Sequence, residues 1–212
     1  MNLPKKRPDN TTLLVSVSFL IPVIMIWLVF IYKSSTLDDR VFSVTDPLLS
    51  TPLTRCMKMV SFLGSYIFLV PANILLIVWL LVLKRKQLAW HVTVVALSSL
   101  GIMSLLKNLF RRPRPAHPLV EGVTNFSFPS GHAMMGVAFY GLLIWLAAEY
   151  IKERKTKILL IVLLSLLLLV IGFSRIYLRM HYVTDVLAGY GIGVIWLCTC
   201  LHFLARYEKR RK

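Results

Sequence analysis

Six apolar runs, each close to the length needed to cross a bilayer, constrain this chain more than any other feature. They cover residues 13–32, 66–83, 88–106, 133–148, 158–173 and 183–204. A membrane helix needs about 20 predominantly apolar residues, because each adds about 1.5 Å across a hydrocarbon core about 30 Å thick. The fourth and fifth runs are at the short end, and their flanks extend each by a turn. Amides in hydrocarbon must bond within their own segment, so continuous apolar runs of this kind are helices; Pro71 in the second is compatible with one. The expectation is an all-α polytopic membrane protein in which residues 1–212 form a single six-helix unit. Composition agrees: 57% of residues are hydrophobic, against about 45–50% in soluble domains, and mean hydropathy is +0.71.

The first run follows Lys5, Lys6 and Arg7. It is too long for the apolar region of a signal peptide, and no A-x-A site follows, so it is expected to be retained. The flanks orient the bundle. Of 25 Lys and Arg residues, fifteen lie on one side: at the N-terminus, in Lys84-Arg85-Lys86, around 152–157, and in the tail from Arg206. By the positive-inside rule both termini are cytoplasmic, and segments 33–65, 107–132 and 174–182 face outward. Segment 38–58 is expected to include a helix on the outer membrane surface that serves packing and connection, with lipid access as the alternative. His91 and His202, near cytoplasmic ends, read as interface residues.

The net charge of +16 does not point to nucleic acid. The basic residues occupy short stretches between apolar runs, not a folded surface with aromatics interleaved. Cys56, Cys198 and Cys200 have no zinc or redox spacing and read as small apolar residues. No Asp, Glu, Lys or Arg lies mid-span, where an ion or proton pathway would need one.

The chemistry sits in the outward segments. At the end of the third run stands Lys107-Asn108-Leu109-Phe110-Arg111-Arg112-Pro113-Arg114-Pro115. The prolines end the helix and stiffen the chain, so Lys107 sits at the helix end and Arg114 returns from the loop. The plain alternative is a snorkelling basic flank. Phe128-Pro129-Ser130-Gly131-His132 opens the fourth run. Ser130 suits an N-cap, Gly131 lets an anion approach the free amides, and His132 can exchange a proton near neutral pH. An ordinary capped helix start is the alternative. The third cluster runs from Ser174-Arg175 to His181 and Asp185. On a helix, residues four apart share a face, and a carboxylate on one imidazole nitrogen leaves the other free as nucleophile or base. A structural His–Asp pair is the alternative.

Taken together, three turns bring cations or histidines to one interface. Lysine, arginines and a helix N-terminus suit a dianion, and two histidines, one backed by a carboxylate, supply a nucleophile and an acid. No carboxylate cluster is present for magnesium or calcium, so no metal and no cofactor is expected.

These clusters resemble the type 2 phosphatidic acid phosphatase superfamily, whose pattern is K-x6-RP, PSGH and SR-x5-H-x3-D. Lys107 with Arg114-Pro115, Pro129 to His132, and Ser174-Arg175 with His181 and Asp185 match at every position, over about 80 residues. The six spans resemble its lipid phosphatases more than its soluble haloperoxidases. The resemblance implies that His181 forms a phosphohistidine, Asp185 orients it, and His132 protonates the leaving oxygen. Lys107, Arg114 and Arg175 would bind phosphoryl oxygens, assisted by Ser130 and the Gly131 amide. Arg111, Arg112 and Arg179 lie outside the pattern; a second phosphate, a headgroup or the interface are open to them. The implied substrate is a phosphomonoester or diphosphate of a membrane lipid: undecaprenyl diphosphate, phosphatidylglycerophosphate, phosphatidate or a lipid A phosphate. A small chain with an outward site points to a bacterial envelope lipid. A phosphotransferase with an acceptor other than water, or a non-enzymatic anion- or lipid-binding membrane protein, are the competing classes.

Overall fold

The structure is a computed structural model that describes residues 10–123 and 125–210. Lys5, Lys6, Arg7, Arg211 and Lys212, which enter the orientation argument, lie outside the described residues. Every regular element among the described residues is helical. Helix α1 (Asn10–Ile26) passes into a π turn (Trp27–Ile31). The chain then bends by 103° into α2 (Thr36–Thr45). The bend follows Lys33, which takes a left-handed backbone at φ 52°. Helices α3 (Thr51–Phe62) and α4 (Tyr66–Val82) meet at a three-residue turn.

Helix α5 (Lys86–Phe110) ends where Arg111 turns left-handed at φ 45°. Pro113 follows two residues later, and the residue before a proline is disfavoured in helix. After the loop come α6 (Gly131–Gly136), a π turn (Val137–Gly141) and α7 (Leu142–Tyr150). Helix α8 (Arg154–Tyr177) is N-capped by Glu153, which accepts from the Lys155 amide at 2.8 Å. Helix α9 (Val183–Arg210) closes the described chain.

Five stretches are long and apolar enough to cross a membrane: Thr51–Val82, Lys86–Phe110, Gly131–Tyr150, Arg154–Tyr177 and Val183–Tyr207. The bent pair Val17–Ile31 and Thr36–Leu48 makes a sixth if counted as one. The helices divide into rim and hub. Only 11% of the Thr51–Val82 window is buried, against 50% of the Gly131–Tyr150 window. Large apolar side chains such as Val82, Leu97 and Leu169 face outward. Contiguous exposure of that kind is a liability in water and the ordinary condition in lipid. The chain is a multi-pass helical membrane protein.

Helix α9 is the hub, and its glycines explain how. A Cβ on Gly191 would come within 2.5 Å of Pro22 and 2.7 Å of the Ser18 carbonyl in α1. One on Gly189 would meet the Ser130 carbonyl at 2.8 Å, and one on Gly193 would meet Val137 at 2.9 Å. Small residues let backbones approach where lipid supplies no hydrophobic drive between helices. His91, near the start of α5, is buried, with Trp145 alongside at a centroid distance of 6.3 Å.

Segment 38–58, expected to include a helix, holds more than one. It holds α2, a 3-10 turn and α3, and α2 turns Asp38, Phe42 and Thr45 inward. Phe42 packs with Ile176, Ala133 and Val186, so α2 lies over the turn between α8 and α9. The segment packs against the bundle through these residues.

Candidate active site

The ends of α5, α6 and α8, with the turn between α8 and α9, converge on one cavity of about 610 Å³. Lys107, Arg114, Gly131, His132, Arg175 and His181 all line it. Lys107, in the last turn of α5, is only 8% exposed, and its ammonium donates to the Phe126 carbonyl. Arg114 is anchored by donating to the Asn125 carbonyl at 2.8 Å, to the Asn125 side-chain oxygen and to the Met180 carbonyl. Its Nη1 lies 3.4 Å from His181 Nε2. Arg175, in the last turn of α8, donates to Ser61 Oγ from α3, while its Nε is buried without a partner. The Arg175 carbonyl accepts from the amides of Met180 at 3.0 Å and His181 at 3.2 Å, which folds the turn back on itself.

His181 is 1% exposed and Asp185 fully buried. Ser127 Oγ donates to Asp185 Oδ2 and lies 3.3 Å from His181 Nδ1, while Nδ1 and Oδ2 are 3.5 Å apart. Ser127 has one proton and gives it to the carboxylate, so it accepts from the ring. The network therefore assigns the proton to Nδ1 and leaves a lone pair on Nε2, beside Arg114. Burial pushes the His181 imidazole down to about 3; Asp185 opposes the shift, and Arg114 and Arg175 add to it. The ring is neutral near pH 7, as a nucleophile must be. Burial also lowers Arg114 from its ordinary value, with Asp185 opposing.

Two local expectations are corrected. His181 and Asp185 do not share a helical face, because α9 begins at Val183 and His181 precedes it. Asp185, third in the helix, reaches back to the Tyr182 amide at 2.9 Å. That is half of a capping box. The four-residue spacing reads the same in both geometries. Ser130 holds the N-cap position of α6, but its side chain makes no capping bond. Its hydroxyl is buried without a partner, its amide donates to the Asp185 carbonyl at 3.0 Å, and it does not line the cavity. Gly131 does line it, directly over the Lys107 stem.

Away from the charged end the cavity becomes a trough between α4 and α5, walled by Leu69, Ile74, Ile77, Ala96, Leu97 and Leu100. From Thr93 to Lys107 it follows α5 for about 21 Å at the helical rise. Among the described residues no group of three or more His, Cys, Asp or Glu is placed to hold a metal ion.

The PAP2 superfamily model matches residues 87–209, which contain all three clusters. This chain belongs to the PAP2 superfamily. Phosphatidylglycerophosphatase B of Bacillus subtilis is 26% identical over 159 residues, covering 74% of this chain and 78% of its own. Decaprenylphosphoryl-5-phosphoribose phosphatase of Mycobacterium tuberculosis is 33% identical over 125 residues, covering 57% of this chain and 64% of its own. In fold, the chain is similar to the crystal structure of a transmembrane PAP2-type phosphatidylglycerolphosphate phosphatase from Bacillus subtilis. The TM-score is 0.81 at 22% identity, over 91% of this chain and 96% of the other. Aquifex aeolicus LpxE gives 0.60 at 24% identity, over 77% and 93%.

Several residues that hold this PAP2 site in place escaped sequence reasoning. Ser127 and Asn125 lie in the loop before Pro129, where nothing in their spacing distinguishes them. Ser61 and Gly64 belong to the α3–α4 junction. A Cβ on Gly64 would meet Ile171 at 2.6 Å and His132 Cδ2 at 3.1 Å, so the glycine lets the turn pack on the His132 ring. Asp38 had one available signal: Asp and Glu number only nine in the whole chain. Of the three arginines outside the family pattern, Arg112 pairs with Asp38 at 2.8 Å and Asp185 at 2.6 Å. Arg179 pairs with Asp46 and lies over the Phe42 ring. Arg111 donates to the Asn108 carbonyl at 2.9 Å.

Proposed function

We propose that this chain is a metal-independent phosphatase acting on the phosphomonoester or diphosphate headgroup of a membrane lipid through a phosphohistidine on His181. The observation that carries the reading is the two-ended cavity. One end gathers Lys107, Arg114 and Arg175 beside two histidines, and the other is an apolar trough along two membrane helices. A phosphate with a long hydrocarbon tail meets both requirements at once. The relatives named above, a phosphatidylglycerophosphatase and a decaprenylphosphoryl-5-phosphoribose phosphatase, are consistent with that class.

The mechanism follows from the proton positions. His181 Nε2 attacks phosphorus in line as the bond to the lipid oxygen breaks. His132 protonates that oxygen, so a lipid alcohol, or a lipid monophosphate from a diphosphate, departs. Asp185 and Ser127 hold the Nδ1 proton and stabilise the positive ring. Water, deprotonated by His132, then cleaves the phosphorus–nitrogen bond and releases inorganic phosphate. General acid–base help of this kind contributes roughly 10²–10⁴-fold. The three cations and the Gly131 amide stabilise charge on the equatorial oxygens, on which phosphoryl transfer chiefly depends. The charge asymmetry of the loops supports a site on the membrane face away from the cytoplasm. Undecaprenyl diphosphate, phosphatidylglycerophosphate and phosphatidate are the substrates to test first.

The test is inorganic phosphate release in detergent from those three lipids, each with and without EDTA, by the full chain and by His181→Ala. At least one lipid is expected to turn over at an EDTA-insensitive rate that falls to background in the variant. Full activity in His181→Ala would sink the nucleophile assignment, and abolition by EDTA would sink metal independence.

A further inference from the structure

The Asp185 carboxylate is gripped from both sides. Oδ2 takes the Ser127 hydroxyl and the Tyr182 amide and faces the His181 ring. Oδ1 takes Arg112 Nη1 at 2.6 Å. The second nitrogen of the same guanidinium reaches Asp38 Oδ2 at 2.8 Å. Asp38 is 1% exposed and belongs to α2, far from the motifs in sequence. Its Oδ1 accepts the Thr184 amide at 3.1 Å, so it caps the second residue of α9 from another helix. The Thr184 hydroxyl sits between the parties, 3.0 Å from either Asp38 oxygen and 2.7 Å from Arg112 Nη1. The guanidinium also stacks over the Tyr182 ring at 4.0 Å. Arg112 does not line the phosphate cavity.

Two buried carboxylates thus share one cation. Asp185 must be ionised to hold the His181 Nδ1 proton, yet a second carboxylate, Asp38, bonds the other nitrogen of the same guanidinium. Buried like charges that close do not both ionise unless a cation lies between them. Burial opposes the charge on Arg112, but Asp185 and Asp38 together raise its pKa above the ordinary value, so it stays cationic.

We propose that Arg112 and Asp38 are positioning residues for the phosphatase reaction: Arg112 keeps Asp185 ionised and aimed at His181, and Asp38 fixes Arg112 and the start of α9. The proposal rests on the reading of His181 as nucleophile. Neither residue touches the phosphate, so their effect falls on turnover and not on substrate binding.

The structure makes a specific prediction about charge. Arg112→Gln leaves two carboxylates without their cation, and kcat falls by roughly 10–100-fold, the usual scale for losing a group that orients a site residue. KM stays within about threefold, because uniform binding is untouched. Asp38→Asn added to Arg112→Gln removes the competing carboxylate, and kcat recovers at least about fivefold over Arg112→Gln alone, a little under 1 kcal/mol of coupling. A merely structural salt bridge gives the opposite order, with the double variant no better than the single. Arg112→Lys retains the charge and stays within about tenfold of the parent; should Arg112→Gln not fold, a loss in Arg112→Lys well beyond tenfold overturns the proposal.

All variants are assayed as full chains in detergent on the lipid the parent hydrolyses best, with thermal unfolding monitored in parallel. Parental kcat in Arg112→Gln overturns the proposal, as does a double variant slower than or equal to Arg112→Gln. A parent that releases phosphate from no lipid overturns the phosphatase reading instead, which keeps the two failures apart.

Discussion

Residues 87–209 and the preceding stretch from α2 to the α3–α4 turn contribute to the same site in different ways. The first supplies every charged or histidine side chain that lines the cavity: Lys107, Arg114, His132, Arg175 and His181. The second places Asp38 against Arg112 and Thr184, Ser61 against Arg175, and Gly64 against His132. One region touches phosphate in the proposed reaction, and the other holds what touches it. The part outside the family match therefore forms the rear wall of the site as well as supplying membrane-crossing helices.

That division can be tested by pairing a touching residue with its holder. Arg175→Gln removes a cavity cation and is expected to lower kcat/KM on the order of 10²–10³-fold, the scale for one donor to a developing oxyanion. Ser61→Ala, which removes only the hydroxyl that holds Arg175, should cost less than about tenfold. Equal losses, read by steady-state phosphate release, would erase the distinction. Gly64→Ala comes next. Its methyl would overlap Ile171 and press on His132. Overpacking of this kind costs about 1–3 kcal/mol, and kcat should fall about tenfold as the proposed acid is displaced. An unchanged kcat together with a lowered Tm would mean that Gly64 serves the fold alone.

A smaller effect concerns proton linkage. Burial holds the folded His181 imidazole down at about 3, against an ordinary value of 6.5. Between those values the unfolded chain binds more protons, so stability rises with pH across the window and is lost as pH falls through it. Thermal unfolding midpoints from pH 7 to 4 should decline, and less so in His181→Asn; parallel curves would remove His181 from the linkage. Arg179→Ala marks the low end. Its partly exposed pair with Asp46 is worth less than about 1 kcal/mol, and phosphate release should stay within about twofold. A larger loss would bring α2 closer to the chemistry than its contacts with Arg112 imply.

Much of this was legible in the sequence, for identifiable reasons. Hydropathy integrates over some twenty residues, so the apolar runs stand out whatever their packing. Lys107, Arg114 and Arg175 stand out because cations at apolar edges on the minority side demand an explanation. What stayed hidden depends on tertiary contact. An Asp at position 38 of an amphipathic helix reads as a solvated residue until α9 is placed over it. The four-residue interval from His181 to Asp185 fits a helical face as well as a capping turn, and only the start of α9 separates them. Ser130 has the composition of a cap, yet its hydroxyl caps nothing and its amide donates to the Asp185 carbonyl.

Gly189, Gly191 and Gly193 insulate the chemistry from the bilayer. They fasten α9 to α1 and to the α6 end of the bundle through backbone contact, so the start of α9, which carries Asp185, is held by protein and not by lipid. The rim helices meet the membrane. Their outward leucines and valines can change length and shape, and the bundle can adapt to thicker or thinner membranes, without moving the atoms that handle phosphate. Variation in such a chain should accumulate on the rim and stop abruptly at three hydrogen-sized side chains.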